Sequence, residues 1–379
     1  MTLESSDRNA GVDEVALLRQ LVEIESPSLD TAASDEIAQL IEAEFARLDA
    51  TVTLTRTEAG TSLTIDMGTT GDDAGRPPLL LVGHTDTVWP VGTLAGDVPW
   101  RRDGDRIAGP GAFDMKSGIV IMHAALARLA GRPHRKARIV LTCDEEIGSP
   151  TTQELLRAAA ADVAGVLGFE SPHPDGALKV GRWGSTRLRL GITGKASHAA
   201  LDPEHGISAI DELVDQLMRV RELTNDPELS SPVLCNVGTV AGGGRTNVVP
   251  DHASAEIGLR FVNPATERSV LDQLASLTPS RTGAQLTVDT LSSRPAWQAS
   301  ERDSALLAEV AAAASRVGQA VSGRPAHGAG DTNLLGSLGI PTLDGFGPRG
   351  GGAHAVTEHI FVSSLMERID LLTEVLGQP

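Results

Sequence analysis

The sequence predicts an α/β protein: a layered domain with a largely parallel sheet, carrying an inserted βαββαβ domain of ferredoxin-like order. Three observations predict it. Strand-like and helix-like segments alternate between residues 51 and 169, the signature of helices packed on a parallel sheet. Between residues 185 and 290 the order becomes β-α-β-β-α-β, the split motif of ferredoxin-like domains. After Ser292 the first pattern resumes and contains one of the candidate site residues, His354. The two outer segments therefore form one domain, residues 1–182 with 293–379, and residues 183–292 form the insertion, read as a lid.

The elements follow from local pattern. Residues 13–24 carry apolar side chains at helical spacing and stop at Ser26-Pro27, and residues 35–48 repeat the pattern. Short β-type runs occupy 51–56, 61–66 and 79–83, with a glycine- and proline-rich loop at 68–78. A helix over 116–130, a strand over 137–143, a helix over 151–160 and a strand over 163–169 complete the first segment. In the insertion, strands are expected at 185–192, 233–240, 253–262 and 285–290, with helices at 206–223 and 265–277. The last segment reads as helices 303–317, 331–338 and 363–376 around a strand near 341–344.

Bulk properties narrow the function. With 379 residues, 41% of them hydrophobic, the chain has material for two cores. A formal charge of −18 argues against nucleic acid or an anionic membrane as partner. No basic segment followed by an apolar stretch opens the chain, so no signal peptide is expected. No apolar run approaches the roughly 20 residues that span a bilayer. Two isolated cysteines, Cys143 and Cys235, give no disulfide framework and fit a reducing compartment, so a soluble cytoplasmic protein is expected.

The chemistry lies where apolar strands run into loops. His84 and Asp86 follow LLLV, Asp114 lies in GPGAFDMKSG, Glu145 and Glu146 follow RIVLTCD, Glu170 follows VLGF, and His354 ends GGGAH. In such sheets ligands gather beyond the carboxyl ends of strands. Imidazole nitrogen and carboxylate oxygen are the donors that zinc takes, and a catalytic zinc keeps a position open for water. Taken singly, each residue has a plainer reading. Asp114 by itself is a helix N-cap, the acidic run at 144–146 is a solvated loop, and His84-x-Asp86 is a turn. Taken together they supply two nitrogens and several carboxylates. His84 and Asp86, two apart on an extended segment, face one side, where Asp86 can hold the second ring nitrogen of His84. Glu145 and Glu146 are adjacent and point apart, so one can bind metal while the other exchanges protons with water. Metal-assisted hydrolysis follows as the expected reaction class.

Other chemistries lack their motifs. GITGKAS over 191–197 has its first glycine too near Lys195 for a phosphate loop, GPGAFD and GAGDTN lack the third glycine of a dinucleotide fingerprint, and no GxSxG occurs. Of the remaining histidines, His327 has the best claim to a minor role.

GHTDTV, GPGAFDMKSG, TCDEEIGS, GKASHAA, TNVVPDHA and GGGAH, in this order, resemble the M20 zinc metallopeptidases over nearly the whole chain. Within that family, ITGKASHA and SSRPAWQA resemble bacterial glutamate carboxypeptidases. The resemblance implies two zinc ions per subunit, with cobalt or manganese as possible substitutes. His84 and Glu170 would hold one, Glu146 and His354 the other, and Asp114 would bridge them, followed by a cis peptide to Met115. Asp86 would support His84, and Glu145 would be the general base. In the lid, His198 would steady the oxyanion, and Asn247 and Arg260 would hold the substrate's carboxylate, Arg260 supplying a cation within an acidic protein. The loop that cradles this carboxylate departs from the family pattern: it reads His327-Gly328-Ala329-Gly330-Asp331, with Gly330 where a hydroxyl residue is usual. The implied substrate is a small peptide or N-acyl amino acid, cut to release a C-terminal residue such as glutamate, with an acetylornithine-type deacylase as the alternative. Arg324 and Arg349 are candidates for recognising an acidic side chain. The resemblance also implies a homodimer paired through the lids, whose residues act on either subunit's site.

Overall fold

The computed structural model describes residues 7–68 and 76–377. The expectations for the first few residues and for most of the 68–78 loop fall outside these. Two compact units emerge, one of residues 1–181, 299–326 and 330–379, the other of residues 182–298 and 327–329.

The first unit begins with helices α1 (Asp7–Glu23) and α2 (Thr31–Ala46), the latter N-capped by Asp30, whose carboxylate accepts from the Ala33 N–H. Strands β1 (Thr51–Arg56), β2 (Thr61–Met67) and β3 (Leu79–His84) follow, then a small hairpin, β4 (Arg101–Asp103) and β5 (Arg106–Ala108). Next come α3 (Ser117–Leu129), β6 (Ala137–Thr142), α4 (Gln153–Ala159), β7 (Gly165–Gly168) and β8 (Leu178–Arg182). The second unit holds β9 (Gly184–Thr193), α5 (Ala209–Thr224), β10 (Val233–Gly242), β11 (His252–Phe261), α6 (Pro264–Ala275) and β12 (Gln285–Arg294). The chain then returns to the first unit with α7 (Glu301–Arg316), β13 (Gly323–Ala326), α8 (Asp331–Ser337), β14 (Thr342–Leu343), β15 (Gly350–Gly351), β16 (His359–Phe361) and α9 (Val362–Leu376).

The main sheet of the first unit has the order β1-β2-β6-β3-β7-β14. Strands β6, β3, β7 and β14 run parallel, while β1 and β2 pair antiparallel at one edge. Both faces are covered, which explains the unbroken apolar run of β3. Leu79 and Leu81 pack with α1, α3 and α9 side chains on one face, and Leu80 and Val82 with Leu156, Leu334 and Leu335 on the other. The α/β class and the largely parallel sheet are as the sequence predicts.

The second unit's sheet is antiparallel with the order β10-β11-β9-β12. In chain order its strands run fourth, first, third, second from one edge, as a split βαββαβ motif requires. Its core is separate, built on Leu188, Leu190, Ile257, Leu259, Leu213 and Val270.

Sequence pattern missed the short strands. The Gly104-Asp105 turn of the β4–β5 hairpin is a hairpin signal, but its three-residue arms are too short to show alternation. Their role is positional: β5 pairs with β16, and β16 with β15, so the loop between β15 and β16, which carries His354, is fixed at its base.

Candidate metal centre

His84 is the last residue of β3, Glu145 and Glu146 lie just beyond β6, and Glu170 lies just beyond β7, all at the carboxyl ends of neighbouring parallel strands. Asp114 sits in the turn before α3 with non-helical φ −123° and ψ 92°. It is therefore not the N-cap that its position alone suggests: the N-cap of α3 is Lys116, with no side-chain capping bond. The Asp114–Met115 peptide is cis. His354, at φ 59°, occupies the left-handed region, uncommon for a residue with a side chain and a mark of functional loops.

The two oxygens of Asp114 face two imidazoles. Oδ1 lies 3.3 Å from His84 Nε2, and Oδ2 lies 3.2 Å from His354 Nε2. Each imidazole meets one further carboxylate, Glu170 Oε1 at 3.3 Å from His84 Nε2 and Glu146 Oε2 at 3.2 Å from His354 Nε2. Glu145 joins the first group, its carboxylate within 4.8 Å of donor atoms of His84 and Glu170.

This arrangement fits a pair of zinc-sized cations. Donors around a tetrahedral zinc with bonds of about 2.0–2.1 Å stand about 3.3 Å apart, the spacing seen on both sides of Asp114. His84 Nε2 and Glu146 Oε1 are buried and make no hydrogen bond, whereas groups in such positions normally find partners. The electrostatics agree. Burial opposes a charged His84, yet the neighbouring carboxylates of Asp114, Asp86 and Glu170 raise its pKa well above the ordinary imidazole value. Hydrogen bonds to Asp114 and Glu146 push His354 up to about 10. Burial would raise Asp114, but His354 and His84 hold its carboxyl far below the usual range. Burial, with the Asp114 charge added, raises Glu146. Carboxylates crowded in a half-buried space call for positive charge between them.

Partners fix the donors in place. His84 Nδ1 lies 2.9 Å from the main-chain oxygen of Asp86, and the His84 N–H donates to Met115 Sδ at 3.1 Å. Met115 itself is wedged between β3 and α3, where a Cβ on Gly83 or Gly118 would strike it. The Asp86 carboxylate accepts from the N–H groups of Glu145 (Oδ1, 3.1 Å) and Glu146 (Oδ2, 3.1 Å) and from Ser28 Oγ (2.6 Å). Sequence reasoning missed Ser28: Ser26-Pro27 reads as a helix stop, whereas residues 26–28 brace the site by parallel pairing of Pro27 with Thr87. Asp331 was also missed. It accepts from Thr142 Oγ1 at 2.9 Å and from Ser149 Oγ, tying the end of β6 to the loop that follows Glu146.

Gly330 is buried and extended. Its N–H donates to Asn333 Oδ1 at 2.9 Å and its carbonyl accepts from the Asn333 N–H at 3.0 Å. Arg324 forms a two-point ion pair with Asp175 at 2.8 and 3.0 Å, and Arg349 pairs with Glu367 at 2.9 Å. Both candidates for an acidic side chain are thus paired with acids of the protein.

His198, Asn247 and Arg260 belong to the second unit and are exposed. His198 Nδ1 accepts from the N–H groups of Ala200 and Leu201 at 3.2 and 3.1 Å. That fixes the tautomer and leaves Nε2 carrying the proton. The Ala199 N–H donates to the Asn247 carbonyl at 3.0 Å, so His198 and Asn247 lie on adjoining strands of one loop pair. Arg260 Nη1 donates to its neighbour's carbonyl, Leu259 O, at 3.0 Å. His327 stacks on Trp183 with ring centroids 4.3 Å apart. Cys143 is buried and Cys235 exposed, and neither is in a disulfide. Among the described residues no helix is long and apolar enough to cross a membrane.

Comparison with known proteins gives the same direction. The sequence model of peptidase family M20/M25/M40 matches residues 80–378. Carboxypeptidase G2 of a Pseudomonas species is 28% identical over 96% of this chain and 88% of its own length. A putative succinyl-diaminopimelate desuccinylase of Mycobacterium tuberculosis is 32% identical over 79% of this chain and 82% of its own. Among solved structures, the aminopeptidase PepT of Bacillus cereus superimposes with a TM-score of 0.73, covering 97% of this chain and 98% of that one at 22% identity, a likeness of fold.

Proposed function

Since the chain belongs to peptidase family M20/M25/M40 and is a hydrolase, we propose that it is a two-metal hydrolase. It cuts an amide bond to release a C-terminal amino acid, glutamate in the first instance, from a small peptide or N-acyl amino acid. The observation that carries this reading is Asp114, whose two oxygens each stand 3.2–3.3 Å from the Nε2 of a different histidine. His84 and Glu170 would hold one zinc and His354 and Glu146 the other, with Asp114 shared. Zinc in such a site polarises a carbonyl and lowers the pKa of water to about 7.

The chain's own groups manage the protons. Glu145 takes a proton from the attacking water and delivers it to the leaving nitrogen, so the residue acts first as base and then as acid. Asp86 holds the Glu145 N–H and, with it, the carboxylate's position. His198, with its proton on Nε2, has a donor to offer a carbonyl oxygen as it gains charge. The family resemblance assigns the substrate's carboxylate to Asn247 and Arg260. Arg260 is a fixed cation in a chain of net charge −18.

The desuccinylase likeness favours a second reading, deacylation of an N-acyl amino acid with a different released residue. One assay separates the two: hydrolysis by the zinc-loaded protein of matched N-acyl substrates releasing glutamate, ornithine or a neutral residue. Preference for glutamate supports the carboxypeptidase reading. Preference for either of the others moves the protein to the deacylases. Failure to turn over any amide would overturn the proposal.

The homodimer is supported by the second unit's own surface. Strand β10 lies at a sheet edge and is exposed along nearly its whole length, with Leu234 at 56% and Val240 at 63%. The α5 residues Ile210, Val214 and Met218 form an exposed apolar stripe at four-residue spacing. An open edge beside an apolar helix face is a surface that a second copy can cover.

A further inference from the structure

Glu358 is fully buried, four residues after His354, and carries no role in the reading above. Its carboxylate takes four N–H donors. Oε1 accepts from Phe113 at 2.9 Å and Asp114 at 3.1 Å; Oε2 accepts from Gly111 at 3.1 Å and from Trp89 Nε1 at 2.6 Å. These donors come from two different segments. The Gly111–Asp114 turn carries Asp114, and Trp89 lies on the segment that leaves β3 at His84. Glu358 itself belongs to the loop that carries His354.

We propose that Glu358 is the positioning residue of this centre: one carboxylate ties together the three segments bearing His84, Asp114 and His354, and so aims the two oxygens of Asp114 at the two histidines. The inference rests on the metal reading given above. Three features favour it over a general structural role. The bond from the Asp114 N–H is made at the bridging residue itself. Two turn amides on one oxygen and a turn amide with the indole on the other leave no solvent-facing lone pair. And the helical turn Ala112–Lys116 is broken at Asp114 and Met115, whose dihedrals are non-helical, so it does not itself set the direction of Asp114. Glutamine cannot replace this group, because its amide nitrogen would face N–H donors on one side or the other.

The test uses zinc and cobalt. Wild-type protein stripped of metal is titrated with zinc against a chromogenic chelator, and the visible spectrum of its cobalt form is recorded. Glu358→Gln is expected to weaken zinc binding by about 10–100-fold, the usual effect of losing a group that orients a ligand, and to change the cobalt spectrum. A fold role alone would lower the melting temperature of the metal-free protein and leave both readouts unchanged. Trp89→Phe removes one of the four donors and should weaken zinc less, by about tenfold at most; it carries the test should Glu358→Gln not fold. Wild-type zinc affinity and cobalt spectrum in folded Glu358→Gln, or in Trp89→Phe where the first variant does not fold, would overturn the inference while leaving the metal reading standing. A wild-type protein that takes up no zinc would overturn both.

Discussion

His84 and Asp86 meet through the main chain: His84 Nδ1 is 2.9 Å from the carbonyl oxygen of Asp86 and 3.5 Å from its carboxylate. The carboxylate turns instead to the amides of Glu145 and Glu146, one to each oxygen. Asp86 therefore does two jobs with two groups, setting the tautomer of His84 with its backbone and placing the acidic pair with its side chain. Replacing Asp86 by Asn separates them. The carbonyl stays, so affinity for zinc at His84 should change by less than about threefold, while kcat should fall by about 10–100-fold as Glu145 loosens, the usual range for an orienting partner. Chelator competition and steady-state kinetics on one preparation check this. A loss of zinc affinity as large as the loss of kcat would mean that the carboxylate holds the metal ligands themselves, His84 or, through its N–H, Glu146.

Glu145→Gln keeps the shape of the side chain and its N–H bond to Asp86, and removes the proton acceptor. General acid–base groups are worth about 10²–10⁴-fold in rate, so kcat should fall within that range with KM and zinc content unchanged. Metal content by atomic spectroscopy, measured beside the kinetics, makes the point. Loss of zinc from the variant would mean that Glu145 is a ligand, as its closeness to His84 and Glu170 allows.

What the sequence made legible was whatever depends on long periodic segments and on residues at their ends. The alternation of β3, α3, β6 and β7 predicts the sheet, and the sheet puts His84, Glu145, Glu146 and Glu170 beyond the carboxyl ends of its central strands. Asp114 shows where local pattern fails: a local rule makes it an N-cap, the family resemblance assigns it to the metals, and its two histidine contacts lie far along the chain. Ser28, Asp331 and Glu358 were invisible for the same reason. Each acts on a partner more than fifty residues away, and a lone Ser or acid outside any repeating pattern has no spacing to betray it. The β16 strand that anchors the His354 loop has three residues, too few to show a period.

Gly118 tests the wedge behind the site. Alanine in a helix is intrinsically better than glycine by about 1 kcal/mol. Here a Cβ would fall 2.8 Å from both Cβ and O of Phe169 and would also strike Met115 Cε. Overpacking a filled core costs about 1–3 kcal/mol, so the steric term offsets or exceeds the propensity gain. Gly118→Ala should be neutral to about 2 kcal/mol less stable in denaturant unfolding, and zinc affinity should fall, since Met115 accepts the His84 N–H. A stabilised variant with unchanged zinc binding would show that Met115 can yield freely.

The exposed stripe on α5 is where the proposed homodimer can be tested. A lone β10 edge is an aggregation hazard, and proteins blunt such edges with charge, proline or a partner. Between Val233 and Gly242 the strand has neither a charged residue nor a proline, and a bulge between Val237 and Thr239 is what interrupts it, so a second copy has an apolar edge to pair with. A lysine at Val214 or Met218, 53% and 49% exposed, would cost a monomer little, because exposed helix positions tolerate charge. In a pairing of two copies the same lysine would be buried unpaired, at several kcal/mol per ion. Light scattering of the wild-type protein should give twice the 39.5 kDa of the chain, and Val214→Lys with Met218→Lys should halve it while leaving the melting temperature of the second unit's core close to its monomer value. A wild-type mass of one chain, or a double variant that remains dimeric, would remove this face from the interface.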